Sequence, residues 1–427
     1  MKNPASVEKI IKEVKESFRT EPRLAEIFET CYTNTLNTTV KEMEDGSTYV
    51  ITGDIPAVWL RDSTAQLRPY LIPAAKDPRL AKLIAGLVRR QFAYICREPY
   101  ANAFNETANG ACWEKDYPDQ DPMVWEKKFE IDSLCYPVQL AYLLWKNTGV
   151  TTQFDENFQR GAKKILEVFK TEQYHEEKSS YRFTRPHSFF TDTLSRGGRG
   201  ALTKPGTGLI WSGFRPSDDA CVYGYLIPSN MFAVVILGYL AEIGEQIYED
   251  HELTQEAKQL GMQVREAIET YGIVRTEEFG DIYAYEVDGY GQYNLMDDAN
   301  VPSLLSMSYL GYESARPEVE ENTRHFLLSE ANPYYFKGKE AAGIGSPHTP
   351  SGYIWHIAMA MEGLTAHTKE EKLEVLRKMA STEGGKGMMH EGFFCEDASR
   401  YTREWFSWAN AMYAELLLSY LGYTICK

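Results

Sequence analysis

SDDACVYGYLIPSNMFAVVILGYL, from Ser217 to Leu240, is followed closely by ELTQEAKQLGMQVREAIETY, from Glu252 to Tyr271. The first stretch opens on two aspartates and carries no charge from Ala220 to Leu240; the second is charged and amphipathic. A helix that is apolar on every side has to be buried, and one with a charged face lies outside it. The pair reads as an inner helix followed by an outer one. The same two kinds of segment alternate along the whole chain. Inner segments begin with WLRDSTAQLRPYL at Trp59, EIDSLCYPVQLAYLLW at Glu130, MDDANVPSLLSMSYL at Met296, TPSGYIWHIAMAMEGL at Thr349 and TREWFSWANAMYAELLLSYL at Thr402. Outer segments include one with Val7, Ile10, Ile11, Val14 and Phe18 on a single face, and another with Leu80, Leu83, Ile84, Leu87, Val88 and Phe92. The others span residues 155–172, 316–329 and 368–382. Six inner helices within six outer ones predict an all-α chain, an (α/α)6 barrel, as one domain over residues 1–427. The repeat step varies from about 50 to 85 residues, which excludes a regular solenoid. The intervals near 97–130, 173–216 and 273–296, rich in Gly, Tyr, Trp and Asp, are expected as loops and short hairpins at one mouth of the barrel.

The inner segments share a second feature. Each starts with a polar, often acidic cluster, and two share Asp-Asp-Ala-x-Val, at Asp218–Val222 and Asp297–Val301. In an alternating barrel all inner helices start at the same end, so Asp62, Asp132, Asp218, Asp219, Asp297 and Asp298 are expected at one mouth. Asp and Ser ahead of an apolar run are also good N-caps. Capping accounts for any single aspartate, but not for clusters that each bring Trp, Arg or Tyr with them.

Composition removes other classes. The chain has 427 residues, 61 acidic and 45 basic, for a formal charge of −16, which repels polyanions and excludes a dominant nucleic-acid role. The apolar run Met231–Leu237 is far short of the ~20 residues of a membrane helix. The N-terminal stretch MKNPASVEKIIKEVKESF has no apolar core of a signal peptide, so a cytoplasmic protein is expected. Seven scattered cysteines without a CxxC fit reduced thiols better than a disulfide framework.

Carboxylates and aromatics (28 Tyr, 19 Phe and 8 Trp) at one mouth, without a cationic phosphate cradle, suit a neutral sugar, whose ring stacks on Trp and Tyr. Glycoside hydrolysis needs two carboxyl groups, one a neutral acid and the other a nucleophile or base. Beside the Asp clusters, the loop from Gly384 to Asn410 offers Glu391, which follows His390 among Met388, Met389, Phe393 and Phe394. It reads either as a buried base or as a surface acid. No metal is expected: His390-Glu391 lacks the second His of HExxH, and Asp116, Asp119 and Asp121 lack the glycine and final Glu of a calcium loop. Gly197-Gly198-Arg199-Gly200 lacks the lysine of a phosphate loop and reads as a flexible loop, with Arg182, Arg185, Arg196 and Arg199 as a solvated face. His348 on its Pro-flanked loop could bond a sugar hydroxyl, whereas His356 reads as a satisfied core histidine. A sugar epimerase on the same barrel would lean on paired histidines, and a non-catalytic helical scaffold leaves the polar clusters unexplained.

Taken together, Trp59-Leu60-Arg61-Asp62-Ser63, Arg215-Pro216-Ser217-Asp218-Asp219-Ala220, Ser346-Pro347-His348-Thr349-Pro350 and His390-Glu391 resemble glycoside hydrolase family 125 along essentially the whole chain. The resemblance implies an exo-acting α-1,6-mannosidase with an (α/α)6 barrel, inverting and without a metal or other cofactor. It implies Asp218 as general acid and Glu391 as general base, with Asp219 as the rival acid. An inverting pair stands ~6.5–9.5 Å apart, a retaining pair ~5–5.5 Å. Trp59, Arg61, Asp62, Asp132, Asn230, Asp297 and His348 are the candidates for the sugar-binding wall. The expected partner is a mannose-containing oligosaccharide, with neither nucleic acid nor membrane. Trehalase- and glucoamylase-like barrels carry strings similar to Trp-x-Arg-Asp-Ser and supply the alternative reading.

Overall fold

The computed structural model describes residues 3–118, 120–186 and 188–426; Asp119 of the acidic stretch lies outside them. The chain forms two compact units, each assembled from separated segments. One comprises the residues up to Arg90, Leu140–Gln153, and those from Tyr334 onward; the other comprises Gln91–Gln139 and Phe154–Pro333.

In the first unit the last helix, Ser407–Tyr420, is central. Every residue from Ser407 to Leu418 is buried, as its charge-poor sequence requires. It packs against Pro22–Asn34, Leu60–Leu67, His356–Leu364 and Lys369–Ser381. Lys369–Ser381 buries only Val375, Leu376 and Met379 and keeps its charged face outside. Pro22–Asn34 was not anticipated from the sequence. It buries Leu24, Ala25, Ile27, Phe28, Cys31 and Tyr32 at helical spacing and passes into a π turn at Thr35–Thr39.

In the second unit Ile227–Ile243 is the core helix, buried on all sides and packed on His251–Tyr271. With the π turn that follows, Ile227–Tyr248 is the one stretch among the described residues long and apolar enough to cross a membrane. The short run Met231–Leu237 did not announce it. Within it, 83% of the apolar window is buried in protein, as for a core helix. Glu156–Glu172 and Pro317–Leu327 are the other outer helices of this unit, and the inner segment at 296 yields only a short helix, Met307–Leu310. Strands are confined to small hairpins and ribbons, and none among the described residues exceeds five residues.

The helix starts separate capping from other uses of the acidic clusters. Three outer helices are capped by side chains: Asp155 accepts the Phe158 N–H, Asp250 the Leu253 N–H, and Thr368 forms a capping box with Glu371. Inner helices start differently. Val58–Trp59, Tyr225–Leu226 and Tyr353–Trp355 are short strands that run straight into helices, and the N-caps are Trp59, Leu226 and Trp355, none with a side-chain cap bond. The residue at each of these inner starts is thus apolar or aromatic, and none of the aspartates occupies the N-cap position itself.

Candidate active site

Asp218 sits on a tight hairpin. Phe214 and Ala220 pair across it, the Asp218 N–H donates to the Arg215 carbonyl (2.9 Å), and the Arg215 N–H donates to the Asp219 carbonyl (2.8 Å). Pro216 and Ser217 make the turn, and Asp218 takes the left-handed position that follows, with φ +68°. Glycine is the low-cost residue there, and an aspartate in that conformation costs on the order of 1–3 kcal/mol unless its surroundings impose it. They do. Arg215 is locked to buried Glu286 (2.6 Å), and Glu286 also accepts the N–H groups of Val222 and Tyr223, both 3.2 Å away.

The floor under Asp218 is charged. The Lys128 ammonium donates to the Asp218 carbonyl oxygen (2.8 Å) and to Asp192 (2.6 Å). Arg185 binds Glu126, Asp116 and Asp192. Burial pulls Lys128 down, but the charges of Glu126, Asp218 and Asp192 outweigh it and hold the ammonium above its ordinary range. Burial, with Glu126 alongside, pushes Asp116 up to about 6 despite Arg185. Arg185 thus belongs to a buried ion network and not to the solvated face that its neighbours in sequence predicted. A guanidinium with three carboxylates around it can be buried where an unpaired one cannot.

Asp132 comes to the same neighbourhood. It lies fully buried in the first turn of Ile131–Thr148, and the Ile131 N–H faces Ser212 Oγ on the segment that leads into the Asp218 hairpin. Asp219, also buried, follows Asp218 in the turn. The indole N–H of Trp125, the Ser217 hydroxyl and the Tyr285 hydroxyl are buried in this unit with no protein acceptor or donor.

Two predicted wall residues have other work here. Asn230 donates to the carbonyls of Ile210 (3.0 Å) and Leu226 (2.9 Å) and accepts the Ile210 N–H (2.8 Å), so both its donors are spent on backbone. Asp297 accepts the N–H groups of Leu304 (2.9 Å) and Leu305 (3.1 Å), so backbone N–H groups of its own segment take up this aspartate. Burial, with Asp298 beside it, pushes Asp297 up to about 8 against those two donors. The geometry gives both residues a positioning role, because a polar group buried at a helix start must first satisfy the backbone.

In the first unit Glu391 is buried (5% exposed) and precedes the strand Gly392–Phe394. The Thr402 N–H donates to the Gly392 carbonyl (2.8 Å) and the Glu391 N–H faces the Arg403 carbonyl (3.4 Å), which sets Arg403 opposite Glu391. Arg403 Nη1 lies 3.4 Å from Glu391 Oε1, while Nε and Nη2 fork onto Asp54 at 3.1 and 2.5 Å. Burial pulls Arg403 down, but the Asp54 bond and the charges of Glu391, Asp54 and Asp62 raise it. Its φ of +29° is positive, as at three other non-glycine residues, Arg196, Asp218 and Glu249. Arg61 and Asp62, on the first turn of Leu60–Leu67, are buried and 3.6 Å apart, and Arg61 lies over the Trp408 ring. The Trp59 indole N–H is buried without a protein acceptor. His348 stands exposed on its loop, its ring edge-on to Trp355.

His356 holds the Glu391 loop from behind, as a satisfied core histidine. Its Nδ1 accepts the His390 N–H (3.0 Å) and its Nε2–H faces Thr382 Oγ1 (3.2 Å), so the ring is neutral. Burial, with His390 beside it, pushes it down to about 3. The neutral ring is favoured in the folded state, so this stabilisation is whole above about pH 6.5 and drains away as pH falls towards 3. The unfolding temperature is expected to fall over that range in the wild type and to fall less steeply in His356→Gln, which keeps one acceptor and one donor. Parallel curves for the two proteins would contradict this.

Asp218 and Asp132 thus lie in one unit, and Asp62 and Glu391 face Arg403 in the other, with Arg61 beside Asp62. Arg403, Lys128 and Asn102, which donates to Asp218 Oδ1 (3.3 Å), were not read from the sequence. Residues 21–418 match the family of metal-independent α-mannosidases. The chain belongs to glycoside hydrolase family 125. It is 39% identical to the meiotically up-regulated gene 157 protein of Schizosaccharomyces pombe, over 97% of this chain and 86% of that one. A Streptococcus pneumoniae α-mannosidase, solved in a non-productive complex with α-1,6-mannobiose, is 48% identical, with a TM-score of 0.95 over 99% of both chains. A bacterial glucoamylase in complex with acarbose shares the fold alone, at 14% identity and TM-score 0.54 over 86% of this chain and 49% of that one. The family 125 chain is an α-mannosidase, and its fold is the (α/α)6 barrel that the alternation predicted.

Proposed function

We propose that this α-mannosidase removes single mannose residues from the non-reducing ends of α-1,6-linked mannosides such as N-glycan fragments, with inversion and without a metal. The observation that carries this reading is the α-1,6-mannobiose held by the S. pneumoniae relative, at 48% identity over essentially the full chain. Asp218 is the general acid and Glu391 the general base. The strained hairpin of the one and the buried, guanidinium-backed setting of the other support these roles. Trp59, Arg61, Asp62, Asp132 and His348 contribute to the sugar wall, while Asn230 and Asp297 hold the backbone behind it. Buried donors without a protein partner, such as the Trp59 indole, are what a sugar hydroxyl can satisfy.

Product analysis on α-linked mannobioses of different linkage tests the specificity. Free mannose from the 1,6-linked disaccharide, with other linkages cleaved far more slowly, is the expected result. Disaccharide release from an α-1,6-mannan, or indifference to linkage, would contradict it. Treatment with a chelator is expected to leave activity intact; a loss restored by Ca²⁺ or Zn²⁺ would overturn the metal-free assignment. Arg403→Leu removes the partner of Glu391 and unties Asp54. It should lower kcat/KM by about 10- to 100-fold, the scale of a misplaced catalytic group.

A further inference from the structure

Asn102 is fully buried, just ahead of the strand Ala103–Phe104, and its amide can face only one way. Its Oδ1 accepts the main-chain N–H of Lys128 (3.1 Å). Its NH2 group therefore faces two carboxylates, Glu126 Oε1 at 2.8 Å and Asp218 Oδ1 at 3.3 Å. The flipped amide would set oxygen against two carboxylate oxygens and nitrogen against an N–H, losing all three bonds. One side chain thus gives one proton to each of two acids. Lys128, whose N–H orients the amide, also holds the Asp218 carbonyl oxygen through its ammonium.

A general acid must carry its proton on the oxygen that meets the leaving group. In a carboxylic acid the oxygen that accepts an N–H is the carbonyl oxygen. We propose that Asn102 is a positioning residue that keeps the proton of Asp218 on Oδ2 by holding Oδ1 as the carbonyl oxygen. The proposal rests on Asp218 being the general acid. In the chemical step the Oδ2–H bond breaks and the proton passes to the glycosidic oxygen. The bond from that oxygen to the anomeric carbon breaks, its electron pair leaving with the departing sugar, while a water oxygen bonds to the anomeric carbon and gives its proton to the general base. The negative charge left on Asp218 is spread over both oxygens, with the Asn102 N–H on Oδ1. Charged groups facing this acid include Lys128, Glu126 through Asn102, Asp192 and Arg185 behind Lys128, and Asp219 and Arg215 in its own turn.

The test is the pH profile of kcat/KM on α-1,6-mannobiose and on an activated aryl α-mannoside, for wild type, Asn102→Ala and Asn102→Ser. An N–H donor favours the carboxylate over the acid, so Asn102→Ala should move the basic limb to higher pH by about one unit. It should lower turnover of the disaccharide by on the order of 10- to 100-fold, part of what general acid help supplies, and of the aryl mannoside less. Asn102→Ser keeps one donor and should fall between. An equal loss on both substrates with an unmoved limb would show a merely structural residue and overturn the proposal. Should the variants fail to fold, the wild-type enzyme at atomic resolution and a pH below the basic limb decides. Cγ–Oδ2 of Asp218 should be the longer carboxyl bond, and equal or reversed lengths overturn the proposal. Asp218→Asn serves as the reference. If it affects both substrates alike, the acid assignment fails; if it spares the aryl substrate while Asn102→Ala moves nothing, only the role of Asn102 fails.

Discussion

Asp218→Asn is expected to lower kcat/KM on α-1,6-mannobiose by about 10²–10⁴-fold while sparing an activated aryl α-mannoside most of that loss. A mannosyl hydroxyl is a poor leaving group and needs a proton as the glycosidic bond breaks. An activated phenol leaves well without one. The substitution isolates this chemistry because Asn, like Asp, tolerates the left-handed backbone at φ +68°, so the hairpin closed by Arg215, Phe214 and Ala220 stays in place. Unfolding temperature should hardly change. Asp219→Asn, one residue on, should show no such dependence on the leaving group. If the two variants exchange these behaviours, Asp219 is the acid.

Glu391→Gln is expected to reduce hydrolysis of both substrates by a similar factor, again about 10²–10⁴. Each substrate needs the same water activated, whatever its leaving group. Arg403 cannot take over, since a guanidinium has no lone pair to accept a proton. Azide should restore part of the activity on the aryl substrate, because an anionic nucleophile needs no base, and the product should be β-mannosyl azide. A loss confined to the disaccharide would show that Glu391 acts on the leaving group instead.

The inner helices were legible because a buried helix must shed its charges. Ala220–Leu240 and the run from Phe406 onward do so over enough residues to leave one reading. Pro22–Asn34 escaped because Glu26, Glu29, Thr30 and Thr33 interrupt its apolar positions, and only burial at Leu24, Ile27, Phe28 and Cys31 reveals its face. Asp218 and Glu391 could be named because the strings around them resemble those of family 125, while the residues alone left Asp219 as a rival. Their supports could not. Asn102 lies 116 residues from Asp218, Lys128 lies 90 residues from it, and Arg403 lies 349 residues from Asp54. No spacing rule spans such intervals; only the folded chain brings those groups together. The backbone bonds of Asn230 and Asp297 were equally hidden. A polar side chain at the start of an apolar helix looks the same in sequence whether it faces a ligand or a backbone amide, and here the backbone took both.

The stereochemistry of the first product tests the central claim most directly. Proton NMR during the first minutes of hydrolysis of an α-linked mannoside, before the anomers equilibrate, should show β-mannose. That is the result of a single displacement by water activated at Glu391 while Asp218 protonates the leaving oxygen. α-Mannose appearing first would mean retention through a covalent intermediate, with a carboxylate as nucleophile, and would contradict the roles given to both residues.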